Sequence, residues 1–107
     1  MSQHKFLISI VLSLGLFAPA FAAPSAAQVC QKMLADGRGN GLSQAACLCN
    51  YQKAEATLDD DIKTLLFDSW YNGTDNMAAL EKLPKQGRVK RQMLLLQQKI
   101  QRGCPAF

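Results

Sequence analysis

The sequence predicts an all-α protein, a small disulfide-stapled bundle of four to five helices. Apolar residues recur at helical spacings through most of the chain, and no segment alternates with the period of a strand. Four cysteines, an even number, follow a leader that reads as an export signal, and small exported domains commonly rely on disulfides.

The leader begins with a short segment carrying His4 and Lys5, then a nearly unbroken apolar run of twelve residues from Phe6 to Phe17. Pro19 and Ala20-Phe21-Ala22 follow, an A-x-A site with Ala23 after it. Residues 1–22 are therefore read as a secretory signal peptide cleaved after Ala22. The run is shorter than the roughly 20 apolar residues of a membrane span, so no transmembrane segment is expected after its removal. No twin arginine precedes the run, and no cysteine follows the cleavage site to carry a lipid anchor. The short, alanine-rich leader has a bacterial look, and the expected location is the periplasm or the medium outside the cell.

Removing 22 of 107 residues leaves 85, enough for the single helical domain expected over 23–107. The only histidine, His4, leaves with the leader. No Ser-His-Asp or Cys-His nucleophile, histidine metal site or C-x-x-C-H haem attachment can then be built, and no enzyme is expected. Lys5 leaves too, so eleven cations face eight acids, a net charge of +3.

Cys47 and Cys49 lie one residue apart in a helical segment. Residues i and i+2 of a helix point about 200° apart, so these thiols look out from different sides and a Cys47–Cys49 bond would break the helix. The simplest arrangement ties one of them to Cys30 and the other to Cys104. An antiparallel hairpin turning near Gly39 brings Cys30 level with both, and spacing does not choose between them. By loop entropy a Cys30–Cys47 bridge contributes about 3 kcal/mol and a Cys49–Cys104 bridge about 4. Such amounts are comparable with the whole net stability of an ordinary domain, roughly 5–15 kcal/mol, which gives all four cysteines a structural role.

Ser25 caps a first helix running to about Asp36, with Val29, Cys30, Met33 and Leu34 on one face. Asp36-Gly-Arg-Gly-Asn-Gly41 ends it, with three glycines in five positions. As a calcium loop this stretch fails, with Arg38 and Cys47 where ligands belong, and no Gly-Lys-Ser/Thr makes it a phosphate loop. It reads as a helix–helix turn.

Ser43 caps a second helix to about Ala56. Leu42, Ala45, Cys49 and Ala56 form one stripe, and Cys47, Tyr51, Ala54 and Leu58 another, so neighbours are expected on two sides. Asp59, Asp60 and Asp61 open a third helix, where they complement the positive end of its dipole. They could also hold a cation, but the dipole suffices. Ile62, Leu65, Leu66 and Ser69 face one way, widened by Phe67, Trp70 and Tyr71, with Trp70 read as a core anchor and an exposed binding aromatic as the alternative. Asn72-Gly73 ends this helix, and Asn72-Gly73-Thr74 is read as a turn rather than a glycosylation site. Thr74 or Asp75 caps a short helix through Leu83, stopped by Pro84.

The last helix runs from about Lys85 to Arg102. Its apolar stripe Val89, Met93, Leu96 and Ile100 continues to Cys104. Arg88, Arg91, Lys99 and Arg102 share another face around Leu95 and are expected to be exposed. These five residues are the candidate partner-binding set, for an acidic protein or an anionic envelope component such as lipid or lipopolysaccharide phosphate; the alternatives are a simple solvated face and partial neutralisation within the fold by the acidic stretch Asp59 to Asp75. Nucleic acid is not an expected partner in that compartment, and no aromatic residue interleaves with the cations.

Cys30, the Ala46-Cys47-Leu48-Cys49 step, the acid-led helix with Phe67 and Trp70, and Cys104 near the C-terminus resemble a pattern in small exported bacterial proteins. Those share the layout C, then C-x-C, then a C-terminal C. The resemblance covers most of residues 23–107 and implies fold and compartment; it carries over no activity and no site residue. Small periplasmic acid-stress chaperones are similar in size, helicity and disulfide use only.

The expectation is a non-enzymatic periplasmic protein that binds another protein or an envelope component, with no cofactor. The alternatives use Cys47 and Cys49 as thiol-disulfide redox partners or as soft-metal ligands for an ion such as Cu(I). A helix-interior C-x-C lacks the helix N-terminus or cationic neighbours that lower thiol pKa values. Met33, Met77 and Met93 are scattered and read as core.

Overall fold

The computed structural model describes residues 23–107, and the signal peptide expected at 1–22 lies outside them. Among the described residues the fold is all-α, with five helices and no strand. They are α1 (Ala26–Ala35), α2 (Gln44–Thr57), α3 (Asp60–Asn72), α4 (Met77–Glu81) and α5 (Gln86–Gly103).

Local signals place the first boundaries. Ser25 and Gln28 form a reciprocal capping box at α1, with Ser25 Oγ accepting from Gln28 N and Gln28 Oε1 accepting from Ser25 N. The helix closes through Gly37, whose φ of 73° only glycine adopts freely. The N–H of Gly37 donates to Leu34 O and that of Arg38 to Met33 O, the paired bonds of a Schellman ending. Ser43 Oγ caps α2 by accepting from Ala46 N. Gly73, also left-handed, ends α3.

Packing follows from two disulfides and two apolar clusters. Cys30–Cys47 ties α1 to α2, and Cys49–Cys104 ties α2 to the residue after α5, with Cα separations of 5.8 and 5.7 Å. The choice left open by spacing is thereby made, and every described cysteine is bridged. Disulfides of this kind belong to a non-reducing environment. One cluster joins Ala54, Leu58, Ile62, Leu80, Val89 and Leu96; the other surrounds Cys30, Met33 and Cys47. Trp70 packs against both, so the expected core anchor is the seam between them. Phe67 continues this aromatic seam, stacked on Tyr51 with ring centroids 4.1 Å apart.

Besides Met77, read as core but 61% exposed, three expectations need correction. The short helix is Met77–Glu81, not Thr74 or Asp75 through Leu83. Asp75 Oδ1 accepts from Met77 N, and the Asn76 amide turns away to donate to Leu65 O and Asp68 Oδ2, so helical geometry starts later. Lys82 and Leu83 then close back three residues as turns. The stripe Leu42, Ala45, Cys49 and Ala56 is not a buried face: Ala45 and Ala56 are exposed, while Cys47, Ala54 and Leu58 of the other stripe are buried. Still, α2 does have neighbours on two sides, α1 and α5. The third correction concerns Arg88.

No helix among the described residues is long and apolar enough to cross a membrane.

Candidate basic face on the last helix

The five residues singled out on α5 do not behave alike. Val89 and Leu96 are buried and Met93 and Ile100 half-buried, so the apolar stripe faces the core as expected. That orientation turns Arg91, Leu95, Lys99 and Arg102 to solvent, all of them exposed, with Leu95 at 40%.

Arg88 departs from the set, with only 18% of its side chain exposed. Its Nη1 donates to Asp59 Oδ2 at 2.9 Å and Asp61 Oδ1 at 2.8 Å, and its Nη2 to Asp61 Oδ2 at 2.9 Å and Pro84 O at 2.8 Å. The expected exposure of Arg88 is therefore wrong. Two carboxylates beside one guanidinium make a charge-assisted cluster that keeps Arg88 inside the fold. These hydrogen bonds hold the carboxyls of Asp59 and Asp61 below the usual aspartate range and raise the pKa of Arg88. The cations at the acidic opening of α3 are thus side chains of the fold, Arg88 of α5 on Asp59 and Asp61 and Lys63 of α3 on Asp60.

The other cations of the face are free of acids. Lys32, Arg38, Lys63 and Arg88 each lie within 3.8 Å of a carboxylate. Among the described residues Arg91, Lys99 and Arg102 have no such partner. The sequence explains why: the last acid is Glu81, and 82–107 hold seven cations and no carboxylate side chain. Charge segregation of this degree favours a positive potential along the solvent face of α5.

Lys53 of α2 joins them, and sequence reasoning missed it. The Cys49–Cys104 bridge brings α2 and α5 side by side, so that Lys53, one turn beyond Cys49, lies across Gly103. Once the cysteine pairing is known, the spacings Cys49 to Lys53 and Arg102 to Cys104 give this neighbour away.

A separate depression of about 400 Å³ lies between the α1–α2 turn and the end of α3, lined by residues including Arg38, Asn50 and Trp70. Arg38 is occupied there. Its guanidinium donates to the carbonyls of Ser69, Trp70 and Tyr71, at 3.2, 2.7 and 2.9 Å, closing the C-terminal turn of α3. Lys32 Nζ adds a bond to Tyr71 O at 2.8 Å. Two cations at this helix end complement its negative pole.

No family model, curated protein or solved structure matches the chain.

Proposed function

We propose that the chain is an exported periplasmic protein without catalysis of its own, which binds an acidic protein or an anionic envelope component through the basic face of α5. The observation that carries this reading is the exposed Leu95 among Arg91, Lys99 and Arg102, cations that have no acidic partner among the described residues. Such an arrangement steers a negatively charged partner by long-range attraction and then gains from drying the leucine. The signal peptide over 1–22 and the resemblance to exported C…C-x-C…C proteins support the compartment. Soft-metal carriage by Cys47 and Cys49 would need both sulfurs reduced, and a C-x-C redox pair would need them bonded to each other, whereas each is bridged to a different segment.

The test is affinity capture from envelope extracts on immobilised protein recovered after export. Arg91→Glu/Lys99→Glu should lose what the native chain retains, with the helical circular dichroism spectrum unchanged. Retention of the same material by both proteins would contradict the reading.

A further inference from the structure

A shallow cleft of about 340 Å³ lies between the C-terminal turns of two helices, lined by Lys53, Ala56 and Thr57 of α2 and by Lys99, Arg102 and Gly103 of α5. Half of its lining is cationic and none is acidic. Gly103 makes room for the first cation: a Cβ there would lie 3.1 Å from Lys53 Cε and 3.2 Å from Nζ. Lys99 Nζ donates to Thr57 Oγ1 at 3.2 Å, leaving the hydroxyl hydrogen for an incoming acceptor. The Cys49–Cys104 bridge holds the two walls together against the repulsion of their like charges.

Helix capping alone does not account for this cluster. Thr57 and Gly103 are the last residues of α2 and α5. Each helix end offers about half a negative charge, so two of them offset roughly one of the three cations. About two positive charges remain, held on separate side chains that can approach an anion from different directions. A planar carboxylate, with one charge and two oxygens, is satisfied by a single arginine fork. A tetrahedral phosphate group, with up to two charges and three or more free oxygens, uses the whole cleft.

The geometry points to a phosphate-binding site formed by Lys53, Lys99, Arg102 and the Thr57 hydroxyl. It rests on the reading of the basic face given above and names the chemical group that the face recognises. Inorganic phosphate and a phosphomonoester headgroup, as in phosphatidic acid, both carry that group. Exposed Leu94 and Leu95 on the same helix suit the headgroup source, because they can reach the apolar edge of a lipid surface.

The experiment compares the exported protein with Lys53→Gln and with Lys90→Gln, an equal loss of charge at an exposed α5 position outside the cleft. Thermal unfolding is followed in phosphate and in chloride at equal ionic strength, and sedimentation with phosphatidic acid or phosphatidylcholine vesicles is measured alongside. For a Kd of about 10 mM, phosphate at about 50 mM should raise the native melting temperature by at least about 4 °C. Lys53→Gln should abolish that rise and Lys90→Gln should keep it. Phosphatidic acid vesicles should bind about five-fold more weakly to Lys53→Gln, with less than about a two-fold change for Lys90→Gln. A phosphate-dependent rise without vesicle binding supports the site with free phosphate as its source. Equal weakening by both variants means diffuse electrostatics and overturns the cleft. Binding of polyglutamate, but of neither phosphate nor vesicles, overturns the phosphate assignment while leaving the basic face in place. If no probe binds and Arg91→Glu/Lys99→Glu also captures normally, both readings fall.

Discussion

Arg88 grips Asp61 with both arms of its guanidinium, Nη1 to Oδ1 at 2.8 Å and Nη2 to Oδ2 at 2.9 Å. The pair locks the start of α5 onto the start of α3. Gln92, one turn further along α5, accepts the N–H of Asp59 at 2.8 Å, so two residues of α5 finish the N-terminus of α3. The acids that favour the α3 dipole therefore have a second role in tertiary docking.

This docking makes stability depend on acid pH. Hydrogen bonding to Arg88 is the largest cause lowering the pKa of Asp59 and of Asp61. A carboxyl with a depressed folded pKa stabilises fully above its unfolded value and loses that contribution as pH falls through the folded value. The melting temperature should be flat from neutral pH to about pH 5 and fall below about pH 4, near the ordinary aspartate pKa. Asp36 and Asp68, lowered by hydrogen bonds from Arg38 and Asn76, act in the same direction. Arg88→Ala should melt lower than the native chain at neutral pH, with the difference shrinking as Asp59 and Asp61 protonate. A constant difference from pH 7 to pH 3 would show that the ion pairs contribute nothing.

The two disulfides should not be equivalent. A non-reducing peptide map should recover Cys30–Cys47 and Cys49–Cys104 and no free thiol. Closing the longer loop restricts the unfolded chain more, so Cys49→Ala/Cys104→Ala should cost about 4 kcal/mol and Cys30→Ala/Cys47→Ala about 3. Urea unfolding of the two double variants measures both. Recovery of Cys30–Cys49 and Cys47–Cys104 would refute the pairing.

Arg38 should matter more than a turn residue normally does. Three carbonyls at the end of α3 receive its guanidinium, and bonds to a charged donor are each worth about 1.5–3 kcal/mol. Arg38→Ala should therefore lower stability by about 2 kcal/mol, allowing for partial replacement by water. Arg38→Lys should recover only part, because an ammonium is a point charge without the planar fork. Full recovery by lysine would mean that charge, not the fork, closes the helix.

What the sequence shows and what it hides divide along sequence distance. Ser25, Ser43 and Gly73 act within a few residues of themselves, and each helix boundary they signal is found. The stripe from Val89 to Ile100 obeys one helix period and faces the core. By contrast, Arg38 reaches residues more than thirty positions away, and Arg88 nearly as far, with nothing local to announce either contact. An antiparallel hairpin brings Cys30 level with both Cys47 and Cys49, so only packing chooses. Lys53 enters the basic face because of that choice, and it could not be read as part of the site before the pairing was known.

The most direct test of the binding face is Leu95→Ala, measured for partner capture and for thermal stability in the same preparation. Leu95 is 40% exposed on α5, so truncation should change stability by no more than about 0.5 kcal/mol, a melting shift under about 4 °C. Capture of the anionic partner should weaken clearly. A sharp fall in melting temperature with capture unchanged would place Leu95 in the core and contradict the account.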